Sequence, residues 1–495
     1  MTQRAQSQRN QNQRNRTLAQ PDPGTPPADS PIVRRGRHHV VIIGSGFGAL
    51  AAARRLENAD VDITMIARTS HHLFQPLLYQ VATGLISQGQ IAPPVRVILR
   101  KQRNLQVILG EVEQIDLTAR TVRARLLERD TVTGYDSLIV AAGAGQSYFG
   151  NDHFAEFAPG LKTIDDALEL RGRILGAFEQ AELSADPEER ERLLTFVVIG
   201  AGATGVEMAG QIVEMANKTL RGAFRSIDPA DARVILLDGA SGVLPAFGKK
   251  LGARAEKRLR SLGVDVQLGA MVVDMDYDGL VVKDSDGSTR RIESQCKVWS
   301  AGVAASPLGQ QLAEQSGVEL DRAGRVKVAP DLSIVGHAEV FVVGDMMAVD
   351  GVPGLAPAAN QSGQYAADTI VARIAGNYCE RKPFTYWDKG SMATVSRYSA
   401  VAKIPVPGTS KNIEFSGYFA WIGWLFLHLI YLVGFRNRFI TLVDWTFSFT
   451  SRQRNQLAVT EQQVFARNVI DRLGEIEERG AAQRAATRKS GVVSG

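Results

Sequence analysis

Two glycine-rich hexapeptides, Gly44-Ser45-Gly46-Phe47-Gly48-Ala49 and Gly200-Ala201-Gly202-Ala203-Thr204-Gly205, have the spacing needed to hold a pyrophosphate. In such a loop the first glycine permits a tight turn and the second lets the backbone approach the phosphates. The last small residue lets the following helix pack closely on its sheet. Helix N-terminal amides then face the anion. Each loop follows a β-branched apolar run, Val40-Val41-Ile42-Ile43 or Phe196-Val197-Val198-Ile199, and precedes a helical pattern. Both are therefore expected to bind dinucleotides, through Gly44, Gly46, Phe47, Gly48 and Ala49 in the first and Gly200, Gly202, Thr204 and Gly205 in the second.

The residues that close each unit differ. The second strand of the second unit ends at Asp238. A carboxylate there accepts hydrogen bonds from a ribose diol and repels a 2′-phosphate, which favours NADH over NADPH. The distance from the loop to this acid calls for a helical insertion around Ile212 to Phe224. In the first unit, Ala67 and Arg68 stand where the acid would be, which disfavours NAD and leaves FAD open, its ribose held by other groups such as Arg68. Glu207 is placed in the first turn of the second helix. It is either a charge suited to the helix dipole or a carboxylate near the nicotinamide.

These loops need large sheets to carry them, and 495 residues suffice for two or three domains. With 57 basic against 52 acidic side chains the charge is nearly balanced, so no nucleic-acid partner is expected. The two cysteines, Cys296 and Cys379, lie far apart and outside any metal-site or thiol-redox spacing. They read as plain thiols of a reducing cytoplasmic setting, and no metal is expected. Residues 1–37 are polar, rich in Gln and Arg, and read as a disordered arm, as do residues 480–495 at the other end. Residues 376–415 suggest a small sheet. Thr460 and Gln463 suggest a capping box for a terminal helix over 456–479.

Further segments then align. Tyr135 to Gly143, Val298 to Gly302 and Val340 to Asp345 resemble the flavin signatures of flavoproteins with two dinucleotide-binding domains. Together with His72-Leu73-Phe74-Gln75-Pro76-Leu77-Leu78-Tyr79-Gln80 they resemble the type II NADH:quinone dehydrogenases, most closely the mycobacterial-like branch, from about Val40 to about Arg452. The resemblance implies an α/β protein with two Rossmann-like domains, arranged as in glutathione reductase, plus a C-terminal membrane-binding helical region. It implies a discontinuous FAD domain (38–160 and 325–375), an NADH domain (161–324) and a membrane-associated region (376–455). By the same analogy, Asp345 bonds the ribityl or phosphate part of FAD, and Gln75, Pro76 and Leu77 lie near its ring. Ala142, Gly143, Gly344 and Ala358 line the same cofactor, and Gly302 lies beside the NADH side. The family's quinone motif is present as Ala356-Pro357-Ala358-Ala359-Asn360-Gln361. Pro357 replaces a glutamine there, so only Gln361 is carried over, with Lys389 as a second residue of that pocket.

Tyr418 to Phe435 is almost wholly apolar; Arg436-Asn437-Arg438 is expected to break it before Phe439 to Phe449 resumes. The stretch approaches bilayer thickness. Its aromatic residues and nearby arginines instead favour helices lying in one leaflet, against a membrane lipid surface. The chain is thus expected to bind FAD tightly, take NADH as substrate and reduce a lipid-soluble quinone at the cytoplasmic face without pumping protons. Glu207, Gln361 and Lys389 are its candidate catalytic groups, and a homodimer is left open. Two alternatives stand beside this reading: an NADH-dependent reductase of a small redox protein, and an NADH-binding flavin scaffold or sensor without sustained turnover.

Overall fold

A computed structural model of the chain describes residues 36–377, 382–409, 411–451 and 453–460. In chain order, the elements that build the sites begin with β1 (His38–Ile43), α1 (Phe47–Arg55), β2 (Val61–Ala67), β3 (Leu105–Leu109) and β4 (Ser137–Val140). Then come α2 (Ile164–Leu183), β5 (Thr195–Ile199), α3 (Ala203–Glu214), β6 (Arg233–Asp238), β7 (Val264–Leu268) and β8 (Cys296–Trp299). The remainder are β9 (Ser333–Ile334), β10 (His337–Val342), α4 (Ala356–Ile374), β11 (Ser391–Ser396), β12 (Ser399–Pro405), β13 (Asn412–Gly417), α5 (Tyr418–Tyr431) and α6 (Phe435–Ser451).

Two parallel sheets organise the chain. The first has strand order β9-β10-β4-β1-β2-β3, and only the β9–β10 pair runs antiparallel. The second has order β7-β6-β5-β8, all parallel. Val40 to Ile43 and Thr195 to Ile199 are buried throughout, because helices cover both faces of a parallel sheet. Each such Val or Ile contributes roughly 1.5–3 kcal/mol on burial. In each sheet the chain reverses its direction of winding beside the first strand, so β1 lies between β2 and β4 and β5 between β6 and β8. The crevice at the carboxyl ends of those strands is where an open α/β sheet takes ligands. Three-stranded antiparallel sheets over 111–134 and 271–293 flank the two units.

The expected small sheet is β11-β12-β13, antiparallel throughout. The apolar stretch after it forms two helices, with one correction. Arg436-Asn437-Arg438 does not interrupt it; these residues ride the first turn of α6. The break falls at Leu432-Val433-Gly434, where Gly434 takes φ +95° and Arg438 Nε donates to Leu432 O at 2.7 Å. A left-handed glycine ends a helix more effectively than exposed charge does. Among the described residues no helix is long and apolar enough to cross a membrane.

At the chain's start the boundary shifts slightly: Arg37, placed in the arm by sequence, already pairs with Asp62 at 2.9 Å. Residues 1–35 lie outside the described residues. Of the expected terminal helix, 456–460 are non-helical and the rest lies outside the described residues, as does residue 379.

Candidate active site

The two phosphate loops are built alike. Gly44 leaves β1 at φ +111° and Gly200 leaves β5 at φ +106°, a region L side chains rarely enter. A Cβ on Gly44 would stand 2.3 Å from Ala141 O, and one on Gly200 2.7 Å from Ala301 N. Their amides bond the neighbouring strands, Gly44 to Ile66 O and Gly200 to Leu237 O, both at 2.7 Å. Gly46 and Gly202 then cap α1 and α3 in extended conformation, with only open space where a Cβ would point. Neither helix has an acidic residue in its first turn, so both N-termini keep an unopposed positive end.

Around the first loop, Phe47 meets His72 edge-on at 5.0 Å and Phe74 at 5.8 Å. His72 Nδ1 donates to Ser45 O (2.9 Å), and its buried Nε2 has no partner among the described residues. Ala49 is fully buried, and Gly48 packs against the Ala359 carbonyl of α4. Arg68 extends to the surface, 3.9 Å from Glu111. Gln75, Pro76 and Leu77 form a short 3-10 turn whose Gln75 amide donates to Lys162 O at 3.2 Å. Ala142 and Gly143 follow β4, and Gly344 and Asp345 follow β10, so both pairs sit at carboxyl strand ends beside the loop. Gly344 N donates to Ser362 Oγ of α4 at 3.0 Å, and Ala358 is buried in the first turn of α4. Pro357 also lies in that first turn, where its missing amide hydrogen would have had no helical partner.

Burial raises the Asp345 carboxyl above its ordinary range, with Lys162 the largest opposing influence. Burial in turn lowers Lys162, and Asp345 and Asp166 offset part of this. Sequence reasoning missed Lys162: it precedes the capping box of α2 and carries no motif of its own. A ligand bearing phosphates and a polar chain fits this cradle. The directions at Gly46 and Gly143 are open, the helix end is positive, and the half-buried Lys162 and Asp345 interact electrostatically.

Around the second loop, Asp238 is anchored more firmly than a solvated strand-end carboxylate. Its Oδ2 accepts from Ala201 N and its Oδ1 from Ala240 N, at 2.5 and 2.7 Å. Each oxygen keeps a second lone pair for a ribose hydroxyl. The expected helical insertion is present in part: α3 runs to Glu214 and continues as a π-type turn, Met215–Thr219, before the chain turns through 220–224. Thr204 and Gly205 lie in the first turn of α3. Gly302 is left-handed (φ +73°) just past β8, its amide region held by Gln146, which donates to Gly302 O at 2.8 Å.

Glu207 is not in the first turn of α3 but in the second, buried, with its side chain directed at β11. Its Oε1 accepts from Thr394 N (3.1 Å) and Thr394 Oγ1 (3.2 Å). Tyr79 OH lies 3.0 Å from Thr394 Oγ1, Gln80 Nε2 donates to Tyr79 OH at 3.1 Å, and Trp445 Nε1 of α6 donates to Gln80 Oε1 at 2.8 Å. A buried chain of donors thus runs from α6 to one carboxylate. Burial pushes that carboxyl up to about 8, the Thr394 bonds opposing it. No local signal in the sequence joins these residues, since they come from four separate segments.

Gln361 and Lys389 meet around Trp387. The Gln361 amide is paired with the Trp387 backbone on both sides, donating to its O (3.0 Å) and accepting from its N (2.9 Å). Lys389 Nζ lies 5.7 Å from the centre of the Trp387 ring and 3.3 Å from Tyr431 OH at the end of α5. Cys296 is buried in β8 with its thiol pushed up to about 12, which leaves it unreactive. Among the described residues no group of His, Cys, Asp and Glu could hold a metal.

The pyridine nucleotide-disulphide oxidoreductase family matches residues 38–363, and the NDH2 C-terminal domain matches 388–453. Two Mycobacterium tuberculosis proteins named type II NADH:quinone oxidoreductase are similar to the chain. Ndh is 66% identical over 91% of this chain and 96% of its own length. NdhA is 61% identical over 91% of this chain and 95% of its own. In fold, the chain is similar to NDH2 from Plasmodium falciparum solved with NADH, with a TM-score of 0.76 at 19% identity, over 83% of this chain and 98% of that one. With both phosphate loops and both family segments in place, the chain belongs to the pyridine nucleotide-disulphide oxidoreductases and, within them, to the type II NADH:quinone oxidoreductases, FAD enzymes that oxidise NADH and reduce quinone.

Proposed function

We propose that NADH docks on Gly200, Gly202, Thr204 and Gly205 with its ribose on Asp238, while FAD is held by the loop at Gly44 to Ala49, Gly143, Lys162 and Asp345. FAD bound there supplies two-electron acceptance from NADH and delivery to quinone. The net reaction consumes NADH, one proton and quinone and yields NAD⁺ and quinol. Glu207 holds a proton at neutral pH in the interior between the NADH helix and β11, and the Thr394 donors fix its position. Gln361, Lys389, Trp387 and Tyr431 form the junction at which quinone enters.

One observation carries the membrane part of this reading. Along α5 and α6, Phe419, Phe426, Phe435, Phe439 and Phe447 are each at least 60% exposed, and Tyr431, which ends α5, contacts Lys389. A soluble surface rarely displays so many large apolar side chains together. They fit helices lying in one leaflet, from which a lipid-soluble quinone reaches the junction without crossing water. The face involved is assigned as cytoplasmic, where NADH is found, and no proton translocation accompanies the reaction.

Anaerobic stopped-flow absorbance of the detergent-purified protein tests the reading. Flavin absorbance should bleach with NADH and return with a short-chain quinone at catalytic rates. Bleaching without return would favour a protein acceptor or a sensor.

A further inference from the structure

A cleft opens where three parts of the chain meet: the end of α3 with its π turn, the turn joining β11 to β12, and the last turn of α6 with the segment after it. Gln211, Glu214, Lys218, Arg397, Ser448 and Arg454 line it. The charges are unequal. Arg397 and Arg454 are only 9% and 8% exposed, and Lys218 stands at the rim. Among the described residues Glu214 is the one carboxylate in the lining, accepting from the Arg397 amide at 3.3 Å and lying 4.0 Å from Lys218 Nζ. Tyr79, whose hydroxyl bears on Arg454, is protonated at neutral pH, and Arg258 beside the cleft is committed to Ser396 Oγ at 3.1 Å.

The donors are unequal too. Arg454 is committed, donating to Thr83 O at 2.6 Å and to Gln211 O and Oε1 at 3.2 and 3.0 Å. Burial lowers it only to about 10, so it stays charged. Arg397 lies over the rings of Tyr398 and Phe449, and its buried Nε has no hydrogen-bond partner among the described residues. The buried Ser448 hydroxyl likewise has none. Buried charge and buried donors left without partners are both costly. Three cations against one carboxylate, with the Arg397 Nε and the Ser448 hydroxyl unpartnered among the described residues, make a site that lacks an anion. Guanidinium donors match the oxygens of a tetrahedral oxyanion.

We propose that this cleft binds a phosphate group, with Arg397, Lys218 and Ser448 as its donors and Arg454 as fixed background charge. The bound anion joins the NADH helix, the small sheet and the membrane helix at one point. Either the phosphodiester of a lipid headgroup or free phosphate has this chemistry.

The test uses FAD-loaded full-length protein in detergent. Its melting temperature is measured with inorganic phosphate against chloride at matched ionic strength, and its binding to phosphatidylcholine vesicles with and without phosphatidylglycerol. Lys218→Glu at the rim and Arg397→Gln in the floor are compared with the parent. Phosphate should raise the parent's melting temperature by about 2 °C or more, and Lys218→Glu should lose most of that rise. A response to phosphatidylglycerol vesicles but not to inorganic phosphate, lost in Lys218→Glu, supports the site with lipid as the source; the reverse supports it with free phosphate. If Arg397→Gln fails to fold, Lys218→Glu decides alone. An equal response in parent and Lys218→Glu, or no response to either form of phosphate, overturns the proposal.

Discussion

Thr394 places both its amide hydrogen and its hydroxyl on a single oxygen of Glu207, at 3.1 and 3.2 Å, and so fixes a buried carboxyl of α3 against the sheet that leads to α5 and α6. Burial still dominates, raising this group to about 8 from an ordinary value of 4.5. Between those two pH values the folded protein keeps a proton that the unfolded chain has lost. Glu207 therefore makes stability fall as pH rises from about 4.5 to about 8, levelling off above that. Glu207→Gln, which resembles the protonated acid, should remove this slope. The variant should match the parent near pH 5 and exceed it by on the order of a few kcal/mol near pH 8.5. Melting temperatures of the FAD-loaded protein across that range check this; parallel curves would show that Glu207 is ionised throughout. The variant should also reduce quinone more slowly.

The phosphate-loop glycines differ in what a methyl group would meet. At Gly205 a Cβ would lie 1.8 Å from Gly200 O, so Gly205→Ala should prevent the second loop from forming and destabilise the protein by about 3 kcal/mol or more. At Gly202 the same methyl points into open space at an ordinary backbone angle. Gly202→Ala should keep its melting temperature to within about 0.5 kcal/mol of stability but raise the KM for NADH about tenfold or more, since it fills the approach to the pyrophosphate. Gly46→Ala should do the same for FAD, read as a lowered flavin-to-protein absorbance ratio after purification. Equal losses of stability at 202 and 205 would contradict this division.

The loops were legible because a pyrophosphate site is made from contiguous backbone: strand, turn and helix must follow one another within a dozen residues. The same holds for the apolar helices, whose composition alone separates them from the rest. What escaped is nonlocal. Lys162 matters because Asp345 lies beside it, and no pattern near either residue shows this. Glu207 could be assigned to its helix, but its turn and its direction depend on β11, nearly two hundred residues later. The Arg436-Asn437-Arg438 triplet was misread as a break because charge suggests a loop. In the structure these residues sit at the start of α6, Asn437 turned inward, and the glycine two residues before them does the breaking.

Asp238 holds the second loop together through the amides of Ala201 and Ala240. Removing the carboxylate in Asp238→Ala leaves the amides of Ala201 and Ala240 without their acceptor, at a cost of roughly 1–3 kcal/mol. It also removes the repulsion toward a 2′-phosphate. Steady-state kinetics with both coenzymes should show kcat/KM for NADH falling about tenfold or more while that for NADPH falls less, so that the preference narrows. An unchanged ratio, with both efficiencies lowered together, would mean that Asp238 acts only on loop geometry.

The exposed aromatic face of α5 and α6 can be separated from folding, because its outermost side chains take little part in the core. Phe419 and Phe435 are 81% and 85% exposed and Phe426 is 66% exposed, whereas Trp424 and Trp445 beneath them are buried. Replacing all three phenylalanines by serine removes apolar surface only from the outside, so the melting temperature in detergent should change little. On a membrane the same surface is worth far more. Each phenylalanine transferred from water to lipid contributes roughly 1.5–3 kcal/mol, so losing three should reduce vesicle binding by at least about a hundredfold. Flotation with liposomes measures this directly. Turnover with a water-soluble short-chain quinone should persist in the triple variant while turnover with a long-chain quinone embedded in vesicles is lost. If both persist and flotation is unchanged, the helices are covered by protein and the quinone entrance lies elsewhere.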